Sequence, residues 1–90
     1  MLQAQSKLFP DTAQVNAEGH LAIGGCDTLE LAARFGTPLY VFDEETLRNR
    51  CQEFIREFRG RHPETSVIYA CKAFINPVLA GIFMEEGLGL

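Results

Sequence analysis

Two stretches of this chain switch hydrophobic period in the same way, and that switch limits the folds open to it. Leu39-Tyr40-Val41-Phe42 is a short β-branched and aromatic run, followed by Asp43 as a helix cap and Glu44 and Glu45 in a first turn. Leu47, Cys51, Phe54, Ile55 and Phe58 then fall 4, 3, 1 and 3 residues apart, one stripe of an α-helix. The order recurs with the apolar run from Val67 to Phe74, a break at Asn76-Pro77, and Val78, Leu79, Ile82 and Phe83 at helical spacing. Strands alternating with amphipathic helices imply parallel β/α units, whose strands are buried on both faces by neighbours. The pattern predicts strands at 39–42 and 67–74 and helices at about 44–59 and 77–86, with Gly60 and Gly87 as stops.

Upstream of these units the signals are weaker. Residues 1 to about 18 are polar, with Pro10-Asp11 as a turn signal. Gly19-His20-Leu21-Ala22-Ile23-Gly24-Gly25 alternates and reads as a short strand closed by a glycine pair. Asp27 can cap a helix, with Glu30 completing a capping box, Leu29, Leu31, Ala32 and Phe35 as its apolar side, and Gly36 as its end. At the other extreme, Leu88-Gly89-Leu90 reads as the first residues of a further strand. Two or three parallel strands lack the neighbours of a closed sheet, so the chain is expected to be the amino-terminal piece of a longer protein.

Composition narrows the function classes. A net charge of −4, without clustered basic charge, gives no support for nucleic-acid or anionic-membrane binding. The arginines from Arg34 to Arg61 are interleaved with acids, as on a solvated helix face. No apolar run approaches the roughly 20 residues of a membrane helix, and the opening residues lack a signal-peptide pattern. Cys26, Cys51 and Cys71 show no CxxC or Cys/His ligand spacing, so free thiols in a reducing cytoplasm are expected and no metal site. His62 reads as a loop residue, His20 is more ambiguous, and Tyr40 is expected in the core.

Lys72 is the residue with chemistry to offer. Only one other lysine is present, Lys7 in the polar start, whereas Lys72 closes an apolar run and precedes a helix. A charged amine there must be paired, deprotonated or at a solvent-reaching end. Period-2 alternation puts Ile68, Ala70, Lys72 and Phe74 on one face and Val67, Tyr69, Cys71 and Ala73 on the other. Ala70 is small and leaves room beside the amine for a flat ring. The carboxyl end of a strand in an α/β fold is where catalytic groups sit, and it suits a lysine that forms a Schiff base with pyridoxal phosphate. A structural lysine reaching water is the competing reading.

The sequence around it resembles a known family. Tyr69-Ala70-Cys71-Lys72-Ala73-Phe74 is similar to the lysine motif of the fold-type III pyridoxal-phosphate decarboxylases. Gly19 to Gly25, followed by Gly36-Thr37-Pro38-Leu39-Tyr40-Val41-Phe42-Asp43, resembles the amino-terminal segment of the diaminopimelate decarboxylases. Glu85-Glu86-Gly87-Leu88-Gly89-Leu90 resembles the approach to that family's second barrel strand, so the likeness runs from residue 19 to 90. Phe74 replaces an asparagine common in the wider superfamily, though Lys-Ala-Phe is familiar in this subgroup.

The resemblance implies opening β/α units of an alanine-racemase-like (β/α)8 barrel at 37–90, with 1–36 associated with a second, all-β domain. It implies pyridoxal phosphate held by Lys72 with Ala70 beside it, decarboxylation of meso-2,6-diaminopimelate to L-lysine, and a homodimer whose partner completes the active site. The residues for the phosphate, the pyridine nitrogen and the substrate would lie beyond residue 90. A decarboxylase of another basic amino acid or polyamine precursor, or a non-catalytic homologue, would share the same opening segment.

Overall fold

Local capping chemistry starts each of the three α-helices among the described residues. The computed structural model describes residues 7–90. They divide into two compact units, one ending at Thr46 and the other beginning at Leu47.

In the first unit three short strands form an antiparallel sheet in the order β1-β2-β3: β1 (Gln14–Val15), β2 (Leu21–Ile23) and β3 (Cys26–Asp27). Gly24 and Gly25 make a two-residue hairpin between β2 and β3, pairing Ile23 with Cys26. Both glycines have positive φ, 58° and 80°, the conformation a type I′ turn demands. Asp27 ends β3 and caps α1 (Thr28–Phe35), its carboxylate accepting the Leu29 N–H at 2.8 Å. Gly36, at φ 83°, closes α1 by donating to the Ala32 carbonyl. Ala22 is the buried centre of the small sheet.

Asp43 is buried and accepts from both the backbone N–H and the hydroxyl of Thr46, in the first turn of α2 (Glu44–Arg61). Thr46 Oγ1 also accepts the Asp11 N–H at 2.8 Å, tying the Pro10-Asp11 turn to this cap. Gly24 also leaves room for the cap: a Cβ there would lie 3.0 Å from Asp43 Oδ1 and press on the carboxylate.

The second unit packs α2 against α3 (Pro77–Glu85). Cys51, Leu79 and Phe83 form its core, with Leu47, Tyr69 and Leu88 packed on them. Asn76 Oδ1 accepts the Leu79 N–H at 2.8 Å and Pro77 occupies the first turn, where its missing N–H costs nothing. The helix ends in a Schellman motif: Leu88 N donates to Phe83 O, Gly87 N donates to Met84 O, and Gly87 takes φ 90°. Leu88 then packs back on the core that holds Phe83. Arg48 bridges to Glu86 at 2.9 Å and Glu85 at 3.3 Å, and Gln52 donates to Glu86 at 2.9 Å, fastening α2 to the end of α3.

The expected helices are present, with α2 continuing through Gly60 to Arg61. The two expected parallel strands are not. Leu39–Phe42 has no ladder among the described residues, and Tyr40, expected in the core, is 90% exposed. From Val67 to Phe74 only Ile68 pairs, in a single parallel bridge with Gly89. A parallel strand is stabilised by neighbours on both sides, and with one bridging residue the extended run is not sustained. The polar start, for which only the Pro10-Asp11 turn was expected, contributes β1. The helical stripes are also only half buried: Phe54, Phe58, Leu29, Phe35 and Val78 are exposed.

Exposed aromatic and aliphatic side chains around so small a core lead to a testable expectation. The 90-residue chain on its own should bind a hydrophobic dye and associate as its concentration rises. A monomeric, cooperative thermal transition with no dye binding would contradict it.

Candidate active-site lysine loop

Lys72 lies in a turn between the Ile68–Gly89 bridge and α3, and not on a strand as its apolar surroundings suggested. Two backbone bonds flank Ile68: Gly89 N donates to Val67 O at 2.9 Å and Tyr69 N donates to Gly89 O at 2.8 Å. The chain then reverses, with Ala73 N donating to Ala70 O at 3.1 Å, so Cys71 and Lys72 are the central residues of a four-residue turn. That hydrogen bond is incompatible with a strand through Lys72, and the expected alternation of faces beyond Tyr69 does not apply.

The loop presents a primary amine in the open. Lys72, Ala70 and Ala73 are all exposed, and the two alanines carry only methyl groups beside it. Such an amine is free to react with a carbonyl group, which is the chemistry a lysine-bound aldehyde cofactor needs, so the residues present fit that group. Cys71 is half-buried, its thiol 3.9 Å from Tyr69 O, and Cys51 lies in the core, where burial pushes its thiol pKa up. Cys26, Cys51 and Cys71 are all free.

One contact in this loop has no signature in the sequence. Tyr69 Oη donates to the Phe74 carbonyl at 2.6 Å, and the Tyr69 ring sits 4.3 Å from the Phe83 ring. Alternation had marked Tyr69 as simply opposite Lys72.

A second cluster lies in the first unit. Asp27 Oδ2 accepts from Asn16 Nδ2 at 2.9 Å and lies 2.7 Å from His20 Nδ1, with Glu18 3.6 Å from the same ring nitrogen. Asn16 Oδ1 in turn accepts the N–H groups of Glu18 and His20, which shapes the β1–β2 loop. The ligand atoms of Glu18, His20 and Asp27 all fall within 4.8 Å of one another. With Asp27 Oδ1 engaged by Leu29, the group acts as a clasp between the β1–β2 loop and α1. The turn-forming run Asn16-Ala17-Glu18-Gly19 was the sequence signal for it. Among the described residues no helix is long and apolar enough to cross a membrane.

No family model matches the chain. Curated proteins do, among them amino-acid decarboxylases. More particularly, the chain is 47% identical over 83 residues to diaminopimelate decarboxylase of Methanothermobacter thermautotrophicus, covering 92% of this chain. It is 45% identical over 82 residues to that of Bacillus methanolicus, and 37% identical over 90 residues to that of Mycobacterium leprae, covering 91% and 100% of the chain. The chain spans 19%, 19% and 18% of the length of these relatives. In sequence it is similar to that part of the diaminopimelate decarboxylases.

The clasp generates a pH prediction. The hydrogen bond with His20, together with that from Asn16, lowers the Asp27 carboxyl from 3.8 to about 2, and the same Asp27 bond raises His20 above 6.5. The Asp27 contribution is present above pH 3.8 and lost as pH falls towards about 2. The His20 contribution is complete below pH 6.5 and lost as pH rises through its elevated folded value. The clasp should therefore be strongest between those limits. An NMR titration should place the His20 midpoint above 6.5, and Asp27→Asn should lower it. A midpoint that Asp27→Asn leaves unmoved would refute the pairing.

Proposed function

We propose that the protein carrying this chain is a pyridoxal-phosphate-dependent lyase that decarboxylates meso-2,6-diaminopimelate to L-lysine and carbon dioxide, the last step of lysine biosynthesis. The observation that carries the proposal is Lys72, exposed in a tight hydrogen-bonded turn between a parallel bridge and a capped helix. The names of the relatives, quoted above, supply the substrate.

Lys72 would hold the cofactor through Nζ, with Ala70 leaving space beside the linkage. When bound, pyridoxal phosphate supplies the electron sink that takes up the electrons released as carbon dioxide departs. The chain's own task is orientation: the turn fixes where Nζ emerges, and the bridge and α3 fix the turn. Within this reading α2, the Lys72 loop and α3 are the opening units of an alanine-racemase-like barrel, and the β1–β3 sheet is part of a second, all-β domain. The reading also includes a cytoplasmic homodimer, supported by the three free thiols for the compartment and by the family likeness for the assembly.

Carbon dioxide release from meso-diaminopimelate by the full-length protein tests this directly. Lys72→Ala should reduce release by orders of magnitude. Lys72→Arg should fail almost as badly, because a guanidinium stays protonated and cannot be the nucleophile. Lys7→Ala, at an exposed position in the first unit, should leave it unchanged. Faster release from ornithine or arginine than from diaminopimelate would overturn the substrate assignment.

A further inference from the structure

We infer that Tyr69 is a positioning residue for Lys72, its hydroxyl clasping the base of the lysine loop while its ring and backbone are held by the core. The inference rests on the reading of Lys72 as the cofactor-binding residue and adds a second residue to it.

Tyr69 is anchored in two ways before its hydroxyl is considered. Its N–H donates to Gly89 O at 2.8 Å, which closes the parallel bridge. Its ring packs against Phe83 with centroids 4.3 Å apart and planes tilted by 32°, on the edge of the Cys51–Leu79–Phe83 cluster. From that fixed ring the hydroxyl reaches across the turn and donates to Phe74 O at 2.6 Å. Tyr69 thus holds the residue that enters the turn and the carbonyl that leaves it. Between the two, the 3.1 Å bond from Ala73 N to Ala70 O fixes the backbone that carries Lys72.

The chemistry gives the clasp its purpose. A lysine side chain has four rotatable carbons, so an amine rooted in a loose loop samples a wide volume. Fixing the loop at both ends narrows that volume at its root and raises the fraction of time Nζ is correctly placed. Phenylalanine at this position would keep the ring on Phe83 and lose only the hydroxyl, which isolates the clasp from the packing.

The test uses the full-length protein and Tyr69→Phe, with two readouts. Without cofactor, amide hydrogen exchange at Ala73 should quicken by about fivefold, the factor set by one neutral hydrogen bond, while the Phe83 amide, inside α3, keeps its wild-type rate and shows that the fold is intact. On adding pyridoxal phosphate, the rate of borohydride-trappable label formation on Lys72 should fall by a similar factor, with the final amount retained. A wild-type trapping rate in Tyr69→Phe would overturn the inference, whether or not Ala73 exchange changes. Slower trapping with unchanged Ala73 exchange would overturn it too, because the hydroxyl would then act by another route. If the wild-type protein takes no label on Lys72, the proposed function itself fails and this inference with it. A labelled wild type beside an unaffected variant removes only the role of Tyr69.

Discussion

The second unit depends on two backbone hydrogen bonds, those that join Val67 and Tyr69 to Gly89 on either side of Ile68. They join the segment that enters the lysine loop to the segment that leaves α3, residues separated by a helix and a turn. Without them the Tyr69 ring would have no fixed backbone beneath it. A single bridge is a small ladder, so its stability rests on whatever holds Gly89 in place.

Three features hold it. The Schellman turn at Gly87 fixes the direction in which the chain leaves α3, and Leu88 packs on the core immediately before Gly89. Glu86, beside that turn, is gripped by Gln52 and Arg48 from α2, and these bonds hold its carboxyl below the usual range. Partly exposed ion pairs of this kind contribute little individually. Their effect here is geometric: they set the register between α2 and the end of α3, and so the place where Gly89 presents its N–H and carbonyl.

The helices and the short strand β2 were legible in the sequence and the two expected parallel strands were not, for one physical reason. Caps are local: Asp27, Asp43 and Asn76-Pro77 each satisfy N–H groups two or three residues ahead, and Gly87 relieves strain at its own φ. A parallel strand needs partners far away in sequence, so the composition of Leu39–Phe42 and Val67–Phe74 states a preference that only pairing can realise. The Gly24-Gly25 hairpin was missed although its glycine pair is a turn signal, because Cys26-Asp27 is too short to read as a strand. At the site, the position of Lys72 between an apolar run and a helix start was legible. The reach of Tyr69 to Phe74 was not, since a side chain bonding a carbonyl five residues on follows no periodicity.

The central claim is that Lys72 is the residue that carries the cofactor, and peptide mapping after borohydride reduction of the full-length holoprotein tests it most directly. The account predicts a pyridoxyl label on the peptide containing Tyr69-Ala70-Cys71-Lys72, attached to Lys72. A label on any other lysine, or none at all, would contradict it.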